Sequence, residues 1–184
     1  MSGYHVNYAH IMSTVAQTLQ MYNRSFPVDL FAMVKRVPNL GLYQYSDLAR
    51  ESHISLAEVC NRARSKYAVY ICNTETNQHI IYFNDTLGND PLLRFTMAHE
   101  LAHFFLVHSE KTQKNLSYKY VEQEANFFAR NLLSPVWVVD NLLTDFEPKA
   151  ANINKLAKYL GITYEAAKIR LRSYKKDRQY HFAL

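Results

Sequence analysis

Apolar residues return every three or four positions from Val6 to Leu19 (Val6, Ala9, Ile11, Met12, Val15, Ala16, Leu19), a spacing that predicts a helix over 6–22. A second predicted helix runs from Val28 to about Val37 and stops at Pro38, whose ring cannot continue it. Helical character resumes over 45–63. The period then changes. KYAVYICN alternates and is rich in aromatic and β-branched residues, TETNQ has the composition of a turn, and HIIYFND reads as the returning strand of a hairpin. Two more helices are predicted over 92–108 and 119–135, the second ended by Pro135. Residues 152–176 read as two helical halves separated by Gly161, with Thr163 as N-cap of the second. The expected fold class is therefore α+β, mostly helical with a short antiparallel sheet or hairpin. It divides into a helical N-terminal region (1–64), a core (65–145) and a basic helical C-terminal segment (146–184).

Composition narrows this picture. A chain of 184 residues, 48% hydrophobic and 20% charged, is long enough to bury a sizeable core as one globular unit. Four Gly and five Pro against 14 Tyr and 10 Phe argue for a helical body with few tight turns. The first residues lack a basic and apolar leader pattern, and no run approaches the ~20 apolar residues of a membrane span, so a cytoplasmic protein without membrane contact is expected. Cys60 and Cys72 are too few for a disulfide framework or a zinc ribbon, and packing is their expected role. The net charge of +5 is uneven. From residue 149 onward nine basic residues face two acids, a balance of +7, which leaves −2 for the remainder. Any bearing of basic charge on partners concerns the tail.

The sharpest signal is RFTMAHELAHFFLVH, residues 94–108. On a helical wheel His99 and His103 lie ~40° apart, with Glu100 ~100° round from His99, in a helix otherwise apolar apart from Thr96 and Arg94. Desolvating two imidazoles and a carboxylate without a partner costs several kcal/mol, roughly what a bound cation would offset. The spacing is H-E-x-x-H, in which two histidines one turn apart present nitrogens to a Zn²⁺ ion and Glu100 serves as general base. A third protein ligand is needed. His108, five residues after His103, would point ~140° away in an unbroken helix and is expected to do no more than sit near the C-terminal carbonyls. Glu122 and Glu124 lie on opposite flanks of the apolar stripe of the next helix, and periodicity does not choose between them.

RFTMAHELAHFFLVH, followed about twenty residues later by EQEANFFARNLLSP and preceded by the strand IIYFND, resembles the ImmA/IrrE group of bacterial and phage metallopeptidases. The likeness is strong over roughly residues 65–137 and looser at the helical ends. It implies a zincin-like core, and it makes the glutamate directly before Ala-Asn the third ligand, giving a gluzincin-like site of His99, His103 and Glu124 with Glu100 as base. Ala102 stands where that group more often has Gly. The resemblance further implies an endopeptidase whose protein substrate is a helix-turn-helix repressor, as in antirepressor systems that regulate lysogeny in phage or other mobile elements. Tyr118 or Tyr120 could supply a hydroxyl for the oxyanion, although in a chain with 14 tyrosines packing is the expected role of each and the oxyanion partner is not named by the sequence. The hairpin offers an edge for an extended substrate.

The tail carries a second motif. NKLAKYLGITYEAAKIRL has the Ala-x-x-x-Gly step of a helix-turn-helix and a basic second half, a pattern compatible with DNA contact. Against this, the position where the second helix should bury a large apolar side chain holds Ala167 and then Arg170, which favours packing on the body. SDLARESHISLAEV is a weaker version with His53 where Gly belongs. The alternative function is accordingly a zinc-containing regulator that binds DNA or sequesters a repressor without cutting it.

Overall fold

The computed structural model describes residues 5–22, 25–73, 75–108 and 118–181. The fold is α+β, a mostly helical body around a small three-stranded mixed sheet. Helix α1 (Tyr8–Tyr22) and α2 (Leu30–Arg36) fall where the apolar spacing places them, and Asp29 caps α2 by accepting from the Ala32 N–H. Strand β1 (Leu40–Gln44) follows, an element absent from the sequence reading. The helical stretch 45–63 is two helices, α3 (Tyr45–Glu51) and α4 (Leu56–Ala63), because His53 adopts a left-handed φ of 53° and Ser55 caps α4.

The hairpin is present as β2 (Ala68–Asn73) and β3 (Gln78–Phe83), paired antiparallel with Tyr70 opposite Ile81. β1 joins the other side of β3 in parallel, Leu42 opposite Ile81, so the strand order is β1-β3-β2 and β2 is an edge. Next comes α5 (Pro91–Phe105), started by Asp90, which accepts from the Leu92 N–H, and by Pro91 in the first turn. Helices α6 (Tyr118–Leu133), α7 (Val136–Leu142), α8 (Ala150–Leu160) and α9 (Tyr164–His181) complete the described chain.

Side chains from all parts of the chain meet in one core. Ile11 and Val15 of α1, Met33 of α2, Ile81 of β3, Met97 and Leu101 of α5, Phe128 and Leu132 of α6, and Leu156 and Ala167 of α8 and α9 belong to the same buried cluster. Burial of that many large side chains is the principal force that assembles the helices. Two cations, one partly and one wholly buried, find partners there. Arg94, the basic exception on α5, donates from Nε to the Gly161 carbonyl and from Nη2 to the Val28 carbonyl, each at 3.0 Å, and so ties three remote segments together. Arg170 of α9 is completely buried. It pairs with Asp177 at 2.9 Å and donates to Asn131 Oδ1 and Ser134 Oγ on the α6 side. The second half of the tail therefore buries Ala167 and Arg170 together, while Arg172, Lys175, Lys176 and Arg178 stay outside. Among the described residues no helix is long and apolar enough to cross a membrane. Both cysteines are free thiols in partly exposed positions.

Candidate metal centre

The site is built on α5, which the sequence makes apolar almost all round. Met97, Ala98, Leu101 and Ala102 are completely buried, and packing on both sides of the helix leaves one polar arc to face the front end of α6. On that arc His99 Nε2 and His103 Nε2 lie 3.1 Å apart. Glu122 enters from α6, with Oε2 3.3 Å from His99 Nε2 and Oε1 3.7 Å from His103 Nε2. The donor atoms of His99, His103 and Glu122 all fall within 4.8 Å of one another.

These spacings test whether a metal fits. For a tetrahedral zinc site with metal–ligand distances near 2.05 Å, neighbouring donor atoms are separated by about 3.3 Å. The His99–His103 separation of 3.1 Å and the His99–Glu122 Oε2 separation of 3.3 Å lie close to that value, and the second carboxylate oxygen, Oε1, stands 3.7 Å from His103. Asn126, one turn after Glu122 on α6, places Oδ1 3.2 Å from His99 Nδ1. With the amide oxygen accepting there, the His99 proton sits on Nδ1 and the Nε2 lone pair faces His103 and Glu122. Two imidazole nitrogens and one carboxylate suit a zinc ion of the catalytic type, which uses three protein ligands.

The carboxylate brought to the histidines is thus that of Glu122. Glu124, expected as the third ligand, is placed elsewhere: two residues on, it is turned ~200° round the helix and accepts at Oε2 from His108 Nε2 at 3.1 Å. His108 also departs from expectation, because α5 does not run on to it. Val107 adopts a left-handed φ of 56°, its N–H returns to the Phe104 carbonyl, and the His108 N–H returns to the His103 carbonyl at 2.9 Å. This is a Schellman ending, and it folds His108 back until its Nδ1 lies 3.1 Å from His103 Nδ1.

Glu100 is oriented by the sheet. The Tyr70 N–H points out of edge strand β2 and donates to Glu100 Oε2 at 2.8 Å, while the Tyr70 ring stacks at 6° on the His103 ring. Burial raises the Glu100 carboxyl to about 7, against the lowering effect of the Tyr70 N–H and with a further upward push from Glu122. Burial also holds His103 down to about 3, helped by His99 and His108, so its imidazole is neutral. Tyr118 opens α6 beside this group. Its hydroxyl is held above its ordinary value first by the charge of Glu122, then by burial, by hydrogen bonding to Glu122 and by Glu100.

Of the residues singled out in the sequence, the structure therefore brings His99, Glu100, His103, Glu122 and Tyr118 to one place and Glu124 and His108 to another just behind it. Asn126 and Tyr70 were not anticipated. Asn126 had a readable signal, since it follows Glu122 by four residues and must share its face. Tyr70 had none. Its contribution is a backbone N–H whose direction depends on strand pairing.

Residues 60–172 match the model of a peptidase family, M78, described as the IrrE N-terminal-like domain. No curated protein matches the chain.

Proposed function

The chain belongs to the IrrE N-terminal-like family of peptidases, and on that premise we propose that it is a zinc-dependent endopeptidase. In this reading His99, His103 and Glu122 hold the ion, Glu100 is the general base, and the substrate is a helix-turn-helix transcriptional repressor whose cleavage relieves repression in a phage or mobile element. The observation that carries it is the convergence of three metal-type donor atoms beside a carboxylate that is not one of them.

When bound, zinc supplies a Lewis acid that acidifies water and polarises a peptide carbonyl. The protein's own groups do the rest. Tyr70 fixes Glu100 through Oε2, leaving Oε1 to take a proton from the attacking water and pass it to the leaving amine. In the metal-free protein burial raises this carboxyl above the ordinary carboxylate range, which strengthens it as a base. In this reading the Tyr118 hydroxyl, near enough to Glu122 to feel its charge, would donate to the developing oxyanion. An extended substrate can lie along β2, the sheet edge nearest α5, using backbone groups other than the Tyr70 N–H already engaged by Glu100.

Beside Glu122 opens a cavity of about 650 Å³ whose walls include Tyr8, Phe127 and Tyr180 and whose charged lining is mixed, with Lys119, Lys176 and the Arg130–Asp177 ion pair, a space that can receive a substrate side chain. Support for the repressor as substrate class comes from the likeness of the two motifs to phage and mobile-element peptidases.

The test is intact-mass analysis of a helix-turn-helix repressor encoded beside the protein, co-expressed with wild type and with Glu100→Gln. A single cut present with wild type and lost in the variant is expected. A repressor that is bound but uncut by zinc-loaded wild type would replace this reading with a sequestering regulator.

A further inference from the structure

We propose that His108 and Glu124 are positioning residues that fix the tautomer and direction of the His103 ring, in the order Glu124 carboxylate, His108 imidazole, His103 imidazole, metal. The proposal rests on the reading of His103 as a metal ligand, and it gives a role to two buried polar side chains that the reaction itself does not use.

A carboxylate accepts hydrogen bonds and donates none, so His108 Nε2, 3.1 Å from Glu124 Oε2, carries a hydrogen. A neutral His108 then has a lone pair on Nδ1. His103 Nδ1 lies 3.1 Å from it and must supply the hydrogen of that contact. With its hydrogen on Nδ1, a neutral His103 keeps its lone pair on Nε2, the atom that faces His99 Nε2 and Glu122. The carboxylate at one end thus dictates that the other end of the chain is a free ligand nitrogen. Reversing either imidazole would break a hydrogen bond among side chains that are 8% (His103), 5% (His108) and 7% (Glu124) exposed, where water does not readily replace it. Histidine ligands in metal sites are held in this way by an outer carboxylate, here with one more imidazole interposed.

The backbone supports the same conclusion. Val107 is a β-branched residue in a left-handed conformation, which costs free energy, and it stands at the one position whose reversal carries His108 back over His103. The elements agree as well. Glu122 and Glu124 sit on opposite sides of α6, so one helix presents one carboxylate to the ion and the other to the back of its ligand.

Two measurements test the proposal. Long-range proton–nitrogen correlation spectra of the metal-free wild-type protein at neutral pH should show His103 protonated on Nδ1 and His108 on Nε2. A His103 protonated on Nε2, or a doubly protonated His108, would overturn it without any variant having to fold.

In the second, Zn²⁺ affinity is measured by competition with a chromophoric chelator for wild type, Glu122→Ala, His108→Ala, Glu124→Ala, Glu124→Gln and the His108→Ala/Glu124→Ala pair, with the fold of each metal-free variant checked by circular dichroism. Wild type should bind one ion and Glu122→Ala should lose it. The two alanine variants should each bind about 10–100-fold more weakly, the pair no worse than either alone, and Glu124→Gln, whose amide oxygen still accepts from His108, should recover most of the loss. Unchanged affinity in His108→Ala and Glu124→Ala would overturn the proposal alone. Loss of the ion in Glu124→Ala with retention in Glu122→Ala would overturn it by making Glu124 the ligand. A wild-type protein that binds no zinc would overturn the metal reading, and the proposal with it.

Discussion

The backbone N–H of Tyr70 and the side chain of Glu100 meet at 2.8 Å, so the edge strand of the sheet holds the carboxylate proposed as general base on the helix that packs on it. The pairing favours the charged form of Glu100 while burial disfavours it, and burial wins, with the carboxyl raised from 4.5 to about 7. In the metal-free protein, whatever Glu100 contributes to stability is present in full below pH ~4.5, where both folded and unfolded forms are protonated, and is lost as pH rises through about 7. Glu100→Gln does not ionise and keeps an oxygen for Tyr70. Thermal unfolding in chelator should therefore show Glu100→Gln gaining on wild type between pH 4.5 and 7.5, with a constant difference on either side. A difference that shrinks with rising pH would contradict the assignment.

Tyr118→Phe removes the hydroxyl beside Glu122 without changing the ring. If that hydroxyl stabilises the oxyanion, kcat on a cleaved repressor should fall by about 100-fold with KM little changed, because the interaction strengthens in the transition state. An equal kcat in steady-state assays would assign Tyr118 to the surface, where its 70% exposure would otherwise place it.

Val107→Gly should stabilise the protein. The residue has φ 56° and is 70% exposed, so glycine relieves the left-handed strain at little loss of packing. A gain of about 1 kcal/mol is expected, read as a rise of ~2–4 °C in Tm, with zinc affinity unaltered. A fall in Tm would show that the valine side chain matters more than its conformation costs.

Arg170→Ala should be among the most damaging single changes outside the metal centre. It leaves Asp177 without its closest cation, and it strips donors from Asn131 Oδ1 and Ser134 Oγ inside the core. Breaking such a buried pair from one side costs about 3–5 kcal/mol, which denaturant titration would register as a large drop in midpoint. Arg172→Ala, exposed two residues on and on the opposite side of the helix, should change stability by less than ~0.5 kcal/mol.

Helices whose apolar spacing is regular were legible in the sequence, and so were the hairpin and the H-E-x-x-H pair. Strand β1 was not, because five residues containing Gly41 carry too little pattern and the parallel partner lies almost forty residues later. The choice between Glu122 and Glu124 was open to periodicity, which measures distance from the apolar stripe and not which flank faces α5. The motif likeness picked Glu124, whereas the arrangement of α5 against α6 puts Glu122 beside the histidines. His108 was misplaced for a single reason. The wheel assumed that the helix continued, and Val107, a residue with no propensity for the left-handed region, ends it. The tail's two helices and Thr163 cap were read correctly, the Thr163 hydroxyl accepting from the Ala166 N–H at 3.0 Å.

The buried Arg170–Asp177 pair has a practical bearing on how the chain can be dissected. Both residues belong to α9, seven positions apart, and both lean on the far end of the helix that carries Glu122. A fragment ending just after Arg172 would keep the guanidinium and discard its counter-charge, stranding a cation in the interior. One ending before Ala150 would discard both and uncover the back of the Glu122 helix. Trimming the last dozen residues as a dispensable basic extension would therefore cut through the interior of the protein and not along its border.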